Sequence, residues 1–415
     1  MVTVKPFRAL RPTNEYVKEC AALPYDVMSS DEAREEVKGK PYSFLHIDKA
    51  EIDLEKGVDL YDDKVYAKAR ENLLAFEEKG VYIQDTNATF YLYRQVMDGR
   101  AQTGVVGCAS IDDYLQNRIK KHELTRADKE LDRIRHVDTC SAQTGPIFLA
   151  YKDSADLDEI IESETKNAPL YDFVSDDGIR HVVWKVAKKE TAQAIEWAFE
   201  KVDSLYIADG HHRAASAVKA GLKRREKAGA SFTGEEDFNF FLSVIFPAKQ
   251  LKIFDYNRLL YDLNGLDEKG FLNAVENALG NVCEYKGAGQ YRPKKVHEIG
   301  LYVGGKWYQV SFKDEICQAK TPSERLDCAI LQNAFLAPVM GIDDPRTSKR
   351  IDFVGGIRGL EYLEKRCNVD AKVAIVMHPT SMDELTAVAD AGEIMPPKST
   401  WFEPKLRSGI LIHKI

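Results

Sequence analysis

Five consecutive residues between an apolar run and an alanine-rich segment combine residue types that bind phosphate with one acid. They are Asp209, Gly210, His211, His212 and Arg213. The apolar run 205–207 is typical of a short strand, and the alanines that follow favour a helix, so residues 204–220 predict strand, tight turn and helix. Glycine lets backbone N–H groups approach a ligand closely. A helix N-terminus adds unpaired donors and a partial positive charge, which suits phosphate.

The side chains of this segment divide into three donors and one acid. His211, His212 and Arg213 add hydrogen-bond donors, and an arginine can bind a phosphate through two parallel bonds. Asp209 has the wrong charge for a phosphate contact, so we expect it to hold Mg²⁺ or to orient a histidine. The alternative is a capped helix with polar residues in its first turn. A zinc site is disfavoured, because the histidines are adjacent and no Cys or His cluster completes a ligand set.

A highly charged stretch, residues 119–136, is the second candidate for chemistry. Thr125 could cap a helix that starts near Arg126. Like charges at a spacing of four residues cost about a few tenths of a kcal/mol for each pair. Two such pairs occur on this helix: Asp128 with Asp132, and Lys129 with Arg133. Opposite charges also occur at this spacing, and the mixture favours some of the charges facing a ligand or another segment.

Glu123 lies just before this helix and has three basic or titratable neighbours: Lys121, His122 and Arg126. A carboxylate there could accept the proton of a substrate hydroxyl as a general base. Nearby Lys or Arg would keep it ionised, the state that a base requires. The alternative is a solvated cluster of surface charges.

Other nucleotide-binding motifs are missing from the sequence. It has no G-x-x-x-x-G-K-[ST] loop and no protein-kinase set of Gly-rich loop, H-R-D and D-F-G. The glycine-rich stretch 353–359 does not fit G-x-G-x-x-G, and we interpret it as a turn that could lie near a ligand.

Length, charge and cysteine content bound the class of protein. With 415 residues and 44% hydrophobic content, the chain can form two domains. The composition changes near residue 256, which predicts a first region, 1–255, and a second, 256–415. A net charge of −8 makes nucleic-acid binding unlikely; the one basic run, 219–229, is more often a solvated helix end.

The seven cysteines include no C-x-x-C pair, and the N-terminus lacks an apolar signal region. No apolar run approaches the length of a membrane span. These features predict reduced thiols and a cytoplasmic protein without membrane contact.

Short strand-like and helical segments alternate, which predicts an α/β (α+β) fold. We expect helices at 31–37 (capped by Ser29 or Ser30), 65–79, 191–201, 267–279 and 323–337, and strands at 88–97, 103–111, 145–151, 180–186, 238–247, 299–312 and 372–377. Asp98-Gly99 between two of the strands is a strong hairpin signal. Residues 221–236 are charged and contain glycine, which predicts a surface loop.

Two further segments carry polar groups without a decisive pattern. The stretch 396–409 combines Lys398, Lys405 and Arg407 with Trp401 and Phe402. It either folds back over the site to bind an anion, with Lys398 in support, or packs its aromatic side chains on the core. In the segment 23–28, Asp26 after Tyr25 either caps a helix or reaches the ligand.

The segment A-D-G-H-H-R-A-A-S-A resembles the phosphate-binding loop and helix of the ParB/sulfiredoxin-like fold, and its D-G-H-H-R variant resembles that of the free-serine kinases. Those enzymes phosphorylate L-serine itself to O-phosphoserine. In them an H-E segment and a helix carrying Arg precede the turn. Here His122-Glu123 and a helix with Arg133 come in that order before residues 209–213, within roughly residues 88–255. About 85 residues separate Glu123 from the turn, a longer spacing that an insertion containing 151–200 would explain.

The whole chain also resembles a long bacterial and archaeal family of unassigned function. The shared segments include L-P-Y-D-V-M-S, P-Y-S-F-L-H, D-P-R-T, R-I-D-F-V-G-G and M-P-P-K-S-T-W-F-E-P-K-L-R-S-G. This resemblance runs from end to end.

The resemblances imply a ParB/sulfiredoxin-like catalytic core within 1–255 and a C-terminal α+β domain at 256–415 whose tail returns to the site. They imply phosphoryl transfer from ATP or ADP, with Mg²⁺, to L-serine or a similar small molecule, in a chain that could form homo-oligomers. The implied residues are Glu123 as base; Gly210, His211, His212 and Arg213 on the nucleotide phosphates; His122, Arg126, Arg133 and Lys398 in support; and Asp209 on the metal. A nucleotide-binding regulatory protein without transfer chemistry is the alternative. A sulfiredoxin-like thiol enzyme is disfavoured, because His211 stands where its cysteine would be.

Overall fold

The computed structural model describes all 415 residues and divides them into two compact units. The first unit contains Met1–Leu251 and the C-terminal tail Pro404–Ile415, and the second contains Lys252–Glu403. The sequence places the boundary at residue 255 and assigns the tail to the second region. In the structure the chain enters the second unit at Lys252 and returns to the first at Pro404.

The first unit is built from thirteen strands and nine helices. The strands up to residue 251 are β1 (Val4–Lys5), β2 (Ala9–Pro12), β3 (Tyr82–Gln84), β4 (Tyr91–Met97), β5 (Arg100–Ser110), β6 (Ile119–Lys120), β7 (Ala142–Gln143), β8 (Ile147–Tyr151), β9 (Tyr171–Val174), β10 (Arg180–Lys185), β11 (Leu205–Asp209) and β12 (Phe240–Pro247). The helices are α1 (Val17–Cys20), α2 (Ser30–Glu36), α3 (Leu45–Asp48), α4 (Asp63–Glu78), α5 (Ile111–Leu115), α6 (Ala127–Cys140), α7 (Ala155–Glu164), α8 (Lys189–Glu200) and α9 (His211–Ala228).

The second unit is also mixed, and its elements precede the last strand of the chain. Its strands are β13 (Ile253–Phe254), β14 (Tyr256–Leu260), β15 (Gly280–Glu284), β16 (Glu298–Val303), β17 (Lys306–Phe312), β18 (Ile351–Gly355), β19 (Val373–Val376) and β20 (Trp401–Phe402), and β21 (Ile412–Lys414) lies in the tail. Its helices are α10 (Glu268–Leu279), α11 (Asp314–Cys317), α12 (Asp327–Leu331), α13 (Leu360–Val369) and α14 (Met382–Asp390). Both units therefore confirm the mixed α/β class.

Two sheets organise the first unit. The larger has the order β6-β11-β8-β12-β5-β4-β10-β9, with β1 also paired to β5. Strand β11 lies between β6, which is parallel to it, and β8, which is antiparallel. The smaller sheet has the order β3-β2-β21-β7, so the C-terminal strand forms an interior part of this sheet. This pairing anchors the tail in the first unit.

Buried apolar side chains from one face of the larger sheet pack against α7, α8 and α9 and form the main core of the first unit. The core includes Leu92 on β4 and Phe199 on α8, both fully buried. A second cluster, with Phe44 and Leu73, packs around the smaller sheet and α4. In the second unit a six-stranded antiparallel sheet, β15-β17-β16-β19-β14-β18, packs its own core.

Local sequence signals explain several element boundaries. The hairpin between β4 and β5 turns at Asp98 and Gly99, which both have positive φ (52° and 76°), as a two-residue turn of this kind requires. Ser29 caps α2 in a reciprocal capping box with Glu32. The predicted cap at Thr125 is wrong: α6 begins at Ala127 without a side-chain cap, and the Thr125 hydroxyl donates to the Glu130 carboxylate.

The surface loop expected over 221–236 is also wrong, because α9 continues to Ala228. Gly221 lies inside this helix, where a Cβ atom would collide with the Phe238 carbonyl oxygen. The glycine therefore permits close packing and does not end the helix. The basic residues beyond it are paired, Arg225 with Asp112 at 2.7 Å and Lys223 with Asp138 at 2.6 Å.

Two motifs of unassigned role pack within the second unit. Gly355, in the glycine-rich stretch 353–359, faces Trp401, whose indole Cε2 would be 2.6 Å from a Cβ atom at this position. Trp401 and Phe402 form β20 and pair with β13. The aromatic part of 396–409 is thus core packing in the second unit, as the second alternative for this segment predicts.

The helix expected over 323–337 is shorter, with α12 followed by a π-helical turn at Gln332–Leu336. No helix in the structure combines the length and apolar character needed to cross a bilayer.

Candidate functional site

The D-G-H-H-R segment forms a glycine turn between β11 and α9. The register of β11 against β8 shifts between Ile207 and Asp209, so the strand becomes irregular just before the turn. Gly210 has φ 93° and ψ 33°, a left-handed conformation that favours glycine. A Cβ atom there would also lie 3.1 Å from the guanidinium carbon of Arg213. The left-handed backbone conformation therefore favours glycine, and an added Cβ atom would crowd the Arg213 guanidinium.

Helix α9 begins at this turn with no side-chain cap. Its first backbone bond runs from the Ala214 N–H to the Gly210 carbonyl at 2.9 Å. The N–H groups of the preceding first turn have no capping side chain, and an 18-residue helix adds its dipole at this end. The turn thus has the donors and the partial charge that bind an anion.

Asp209 is the acidic centre of the turn. Its Oδ1 accepts the Gly210 N–H at 2.9 Å, and its Oδ2 lies 3.4 Å from Lys405 Nζ and 3.7 Å from Arg213 Nη2. Burial would raise the pKa of this carboxyl, but the charges of Lys405 and Arg213 outweigh it and hold the pKa at about 2. Asp209 is therefore ionised at neutral pH and keeps two cations beside the turn.

Two buried histidines join the H-E segment to the turn. The backbone N–H of His122 donates to His211 Nε2 at 3.4 Å, and the two rings meet edge to face with centroids 4.4 Å apart. Burial lowers the pKa of His122 to about 4 and that of His211 far below its ordinary value. Both rings are therefore neutral at pH 7. Because Nε2 of His211 accepts, its proton is on Nδ1.

Glu123 lies on the Nδ1 side of His211, with its Oε2 3.8 Å from that nitrogen. This separation is longer than a hydrogen bond, so the carboxylate lies near the imidazole N–H without bonding to it. The Glu123 side chain is 40% exposed, whereas His211 is buried. The contact brings together two motifs that are far apart in the sequence, with the carboxylate partly exposed to solvent.

The side chain of His212 holds the start of α6 to the start of α9. Its Nε2 accepts the backbone N–H of Arg126 at 3.0 Å, and burial lowers its pKa. The Arg126 guanidinium pairs with Asp128 at 2.8 Å and is largely exposed. Arg126 therefore contributes to this arrangement through its backbone.

Arg213 and Arg133 are both buried beside the turn. Arg213 is 10% exposed and donates from Nη1 to the Pro146 carbonyl, while its Nε is buried without a hydrogen-bond partner. Arg133, on α6, is 12% exposed and stacks its guanidinium over the Tyr25 ring at 4.1 Å. Both arginines line one small cavity.

The tail supplies a cation to the turn, but it is Lys405. Lys398 belongs to the second unit, where it has φ 62° and its Nζ lies 5.6 Å from the centre of the Tyr256 ring. From the sequence, Lys405 is one of the cations of the 396–409 segment, but only Lys398 is predicted to support the site. No local pattern around Lys405 predicts its place, which depends on the pairing of β21 with β2 and β7.

The turn does not fit a direct magnesium ligand set. No group of three or more His, Cys, Asp and Glu side chains is arranged to hold a metal ion. Asp209, the residue expected to hold Mg²⁺, already has an N–H donor on one oxygen and two cations near the other. A further cation at this carboxylate would be repelled by both.

Comparison with solved structures found several proteins of low similarity. A free serine kinase variant in complex with AMP has 15% identity and a TM-score of 0.36, covering 71% of this chain and 85% of that one. SbnI with a C-terminal truncation, from Staphylococcus aureus, has 12% identity and a TM-score of 0.38, covering 74% and 85%. A conserved hypothetical protein from Pyrococcus furiosus has 16% identity and a TM-score of 0.35, covering 73% and 92%.

Among curated proteins none matches this chain. One family does match, over residues 4–329, which is most of the chain, and its description is "Protein of unknown function (DUF1015)". This match confirms the expectation of a long family of unassigned function. The chain is therefore a member of the DUF1015 family.

Proposed function

We propose that the chain is a phosphotransferase that moves a phosphoryl group from ATP or ADP to the hydroxyl of free L-serine or a similar small molecule. The observation that carries the proposal is the contact between Glu123 and His211 beside an uncapped glycine turn. It places a carboxylate that can act as a base beside a turn that can bind phosphate. The D-G-H-H-R resemblance to free-serine kinases, within a ParB/sulfiredoxin-like core, supports the same assignment.

In this proposal the backbone N–H groups after Gly210 bind the nucleotide phosphates. Lys405 and Arg213 flank the turn and balance the phosphate charge, and Asp209 keeps them in position. Phosphoryl transfer depends mainly on such positioning and charge stabilisation. His211 Nε2 accepts a backbone N–H and Nδ1 lies beside Glu123, so its phosphate contact would come from its backbone N–H.

Glu123 accepts the proton of the substrate hydroxyl. That oxygen then forms a bond to the terminal phosphorus of the donor, and the bond from this phosphorus to the bridging oxygen breaks. ADP leaves if the donor is ATP, and AMP leaves if it is ADP. The neutral His211, with its proton on Nδ1, holds the carboxylate in orientation and does not itself transfer a proton.

Mg²⁺ would assist by neutralising charge on the donor phosphates when it is bound. The oxygens of Asp209 are already engaged by the Gly210 N–H and Lys405, so this residue holds no metal in the proposed reaction. A nucleotide-binding regulatory protein would use the same turn but would not need Glu123 beside His211.

The experiment that tests the proposal is incubation of the full chain with Mg²⁺, L-serine and either ATP or ADP, followed by mass spectrometry. O-phosphoserine formed with one of the donors supports the proposal. If neither donor yields a phosphorylated product while nucleotide binding persists, the result supports a nucleotide-binding regulatory protein instead.

A further inference from the structure

A small cavity next to the glycine turn is lined by two buried arginines. It has a volume of about 30 Å³, and its lining includes Tyr25, Asp48, Arg133, Thr144 and Arg213. All of these residues belong to the first unit. Arg213 also reaches Asp209 at the turn, at 3.7 Å, so the cavity and the turn share one guanidinium.

The guanidinium of Arg133 has hydrogen-bond donors without an acceptor in the protein. Its Nε donates to Asp132 Oδ2 at 2.9 Å, and Asp132 accepts on its other oxygen from the Tyr66 hydroxyl at 2.9 Å. The Nη1 and Nη2 nitrogens of Arg133 make no hydrogen bond. The side chain is only 12% exposed, although these two nitrogens, unlike Arg213 Nε, are not fully buried.

Arg213 also has a hydrogen-bond donor without an acceptor. Its Nη1 is satisfied by the Pro146 carbonyl, but its Nε–H is buried without an acceptor. The one carboxylate in the lining, Asp48, accepts from the Thr144 hydroxyl at 2.7 Å. A buried donor without a partner costs about 1–3 kcal/mol, and more for a charged group, so the cavity favours a ligand with acceptor oxygens.

The size of the cavity limits that ligand. One water-sized group needs about 10–15 Å³, so a cavity of about 30 Å³ has room for roughly two. Two oxygens on one planar group match this room and match the fork of a guanidinium. A carboxylate has this shape, whereas a phosphate group adds further oxygens.

We infer that this cavity binds the carboxylate of the phosphoryl acceptor, with Arg133 and Arg213 as its donors. The inference rests on the proposed function and extends it, because it restricts the acceptor to hydroxy acids and hydroxy amino acids. Arg213 then contacts the acceptor on one side and the nucleotide turn on the other. Arg133 becomes a specificity-determining residue that does not touch the nucleotide.

Calorimetric titration of the full chain with L-serine and with L-serinamide, which lacks the carboxylate, tests the inference without requiring turnover. The variant is Arg133→Met, and the control is Arg135→Met on the same helix, where the guanidinium pairs with Asp63 near the surface. A charged hydrogen bond is worth about 1.5–3 kcal/mol, so Arg133→Met should weaken L-serine binding roughly 10- to 150-fold. L-serinamide should bind weakly to all forms, and Arg135→Met should behave as wild type.

Nucleotide titrations of the same proteins separate the two possible oxyanions. An unchanged nucleotide dissociation constant in Arg133→Met supports the carboxylate. A weakened nucleotide affinity with unaltered L-serine affinity would assign the cavity to a phosphate group and overturn the inference. Equal binding of L-serine and L-serinamide by wild type would also overturn it.

The outcomes remain distinct from those of the proposed function. Binding of L-serine that needs Arg133, without any phosphoryl transfer, supports the cavity and rejects the kinase. If phosphoryl transfer to L-serinamide is as fast as to L-serine, the carboxylate site in the cavity is rejected and the phosphotransferase activity is retained. If Arg133→Met melts well below wild type, Arg133→Lys, which keeps the charge and loses the fork, should still weaken L-serine binding.

Discussion

His211 directs its protonated Nδ1 toward Glu123 Oε2 at 3.8 Å, because its Nε2 accepts the backbone N–H of His122. The imidazole is buried and neutral, so it can orient the carboxylate without competing for its proton. This relationship couples the H-E segment to the D-G-H-H-R turn. It separates the two roles that the proposal assigns, proton acceptance by Glu123 and phosphate binding by the backbone after Gly210.

His211→Asn should therefore lower transfer more than it lowers nucleotide affinity. The variant removes the N–H that faces Glu123 but keeps the backbone of the turn. We expect kcat to fall about 10-fold or more, in line with the loss of an orienting group around a general base, with an unchanged nucleotide dissociation constant. Steady-state kinetics and calorimetry measure the two. A loss of nucleotide binding with kcat intact would show that the His211 side chain contacts phosphate instead.

Gly210→Ala should damage both the fold and the site. A residue with a side chain in the left-handed region costs about 1–2 kcal/mol, and its Cβ would lie 3.1 Å from the Arg213 guanidinium carbon. We expect a lower melting temperature together with at least about tenfold weaker nucleotide binding. The matched control is Gly80→Ala, which has φ 72° and no atom near the added Cβ. If both variants bind nucleotide as wild type does, the glycine turn is not the phosphate site.

Lys405→Gln tests the contribution of the tail. Lys405 Nζ lies 3.4 Å from Asp209 Oδ2, and its removal leaves Asp209 with less positive charge beside it. Nucleotide affinity should fall about 10-fold, which corresponds to about 1.4 kcal/mol. The control, Lys414→Gln, removes a lysine of the same tail that pairs with Glu77 at 2.9 Å. Equal affinities in Lys405→Gln and wild type would exclude a role for the tail in binding.

Acidification should destabilise the fold before carboxylates titrate. Burial lowers the pKa of His122 to about 4 and that of His181 to about 3, with the charge of Arg407 also lowering the latter. Unfolding exposes these rings, which then bind protons near their ordinary pKa. The free energy of unfolding should be at its full value above about pH 6.5 and fall as the pH drops toward the folded-state values, by about 1.4 kcal/mol per pH unit for each histidine. Denaturant titrations between about pH 7 and pH 4.5 measure this slope. A flat free energy over that range would contradict buried neutral histidines.

Sequence patterns correctly predicted the features that depend on residues adjacent in the chain. The strand, turn and helix around Gly210, and the hairpin at Asp98 and Gly99, follow from residues that are adjacent in the chain. Gly221 misled the same reasoning, because its small size serves close packing within α9 and not a loop.

The rest of the candidate site depends on distant segments. Lys405 reaches Asp209 only because β21 pairs inside the smaller sheet, and Tyr25 meets Arg133 only through tertiary packing. No spacing within the chain reveals such contacts. The roles of the histidines were also hidden, because the hydrogen bond from His122 to His211, not the residue type, decides which ring nitrogen is free.

Comparison of wild type with Glu123→Gln, under conditions where both are saturated with nucleotide, tests the central claim most directly. Mass spectrometry would follow O-phosphoserine formed from L-serine with ATP or ADP, and calorimetry would verify that nucleotide binds both proteins equally. We predict product with wild type and a rate lower by roughly 100-fold or more with Glu123→Gln, as the loss of a general base implies. Equal rates for the two proteins, or no phosphoserine from wild type with either donor, would contradict the account.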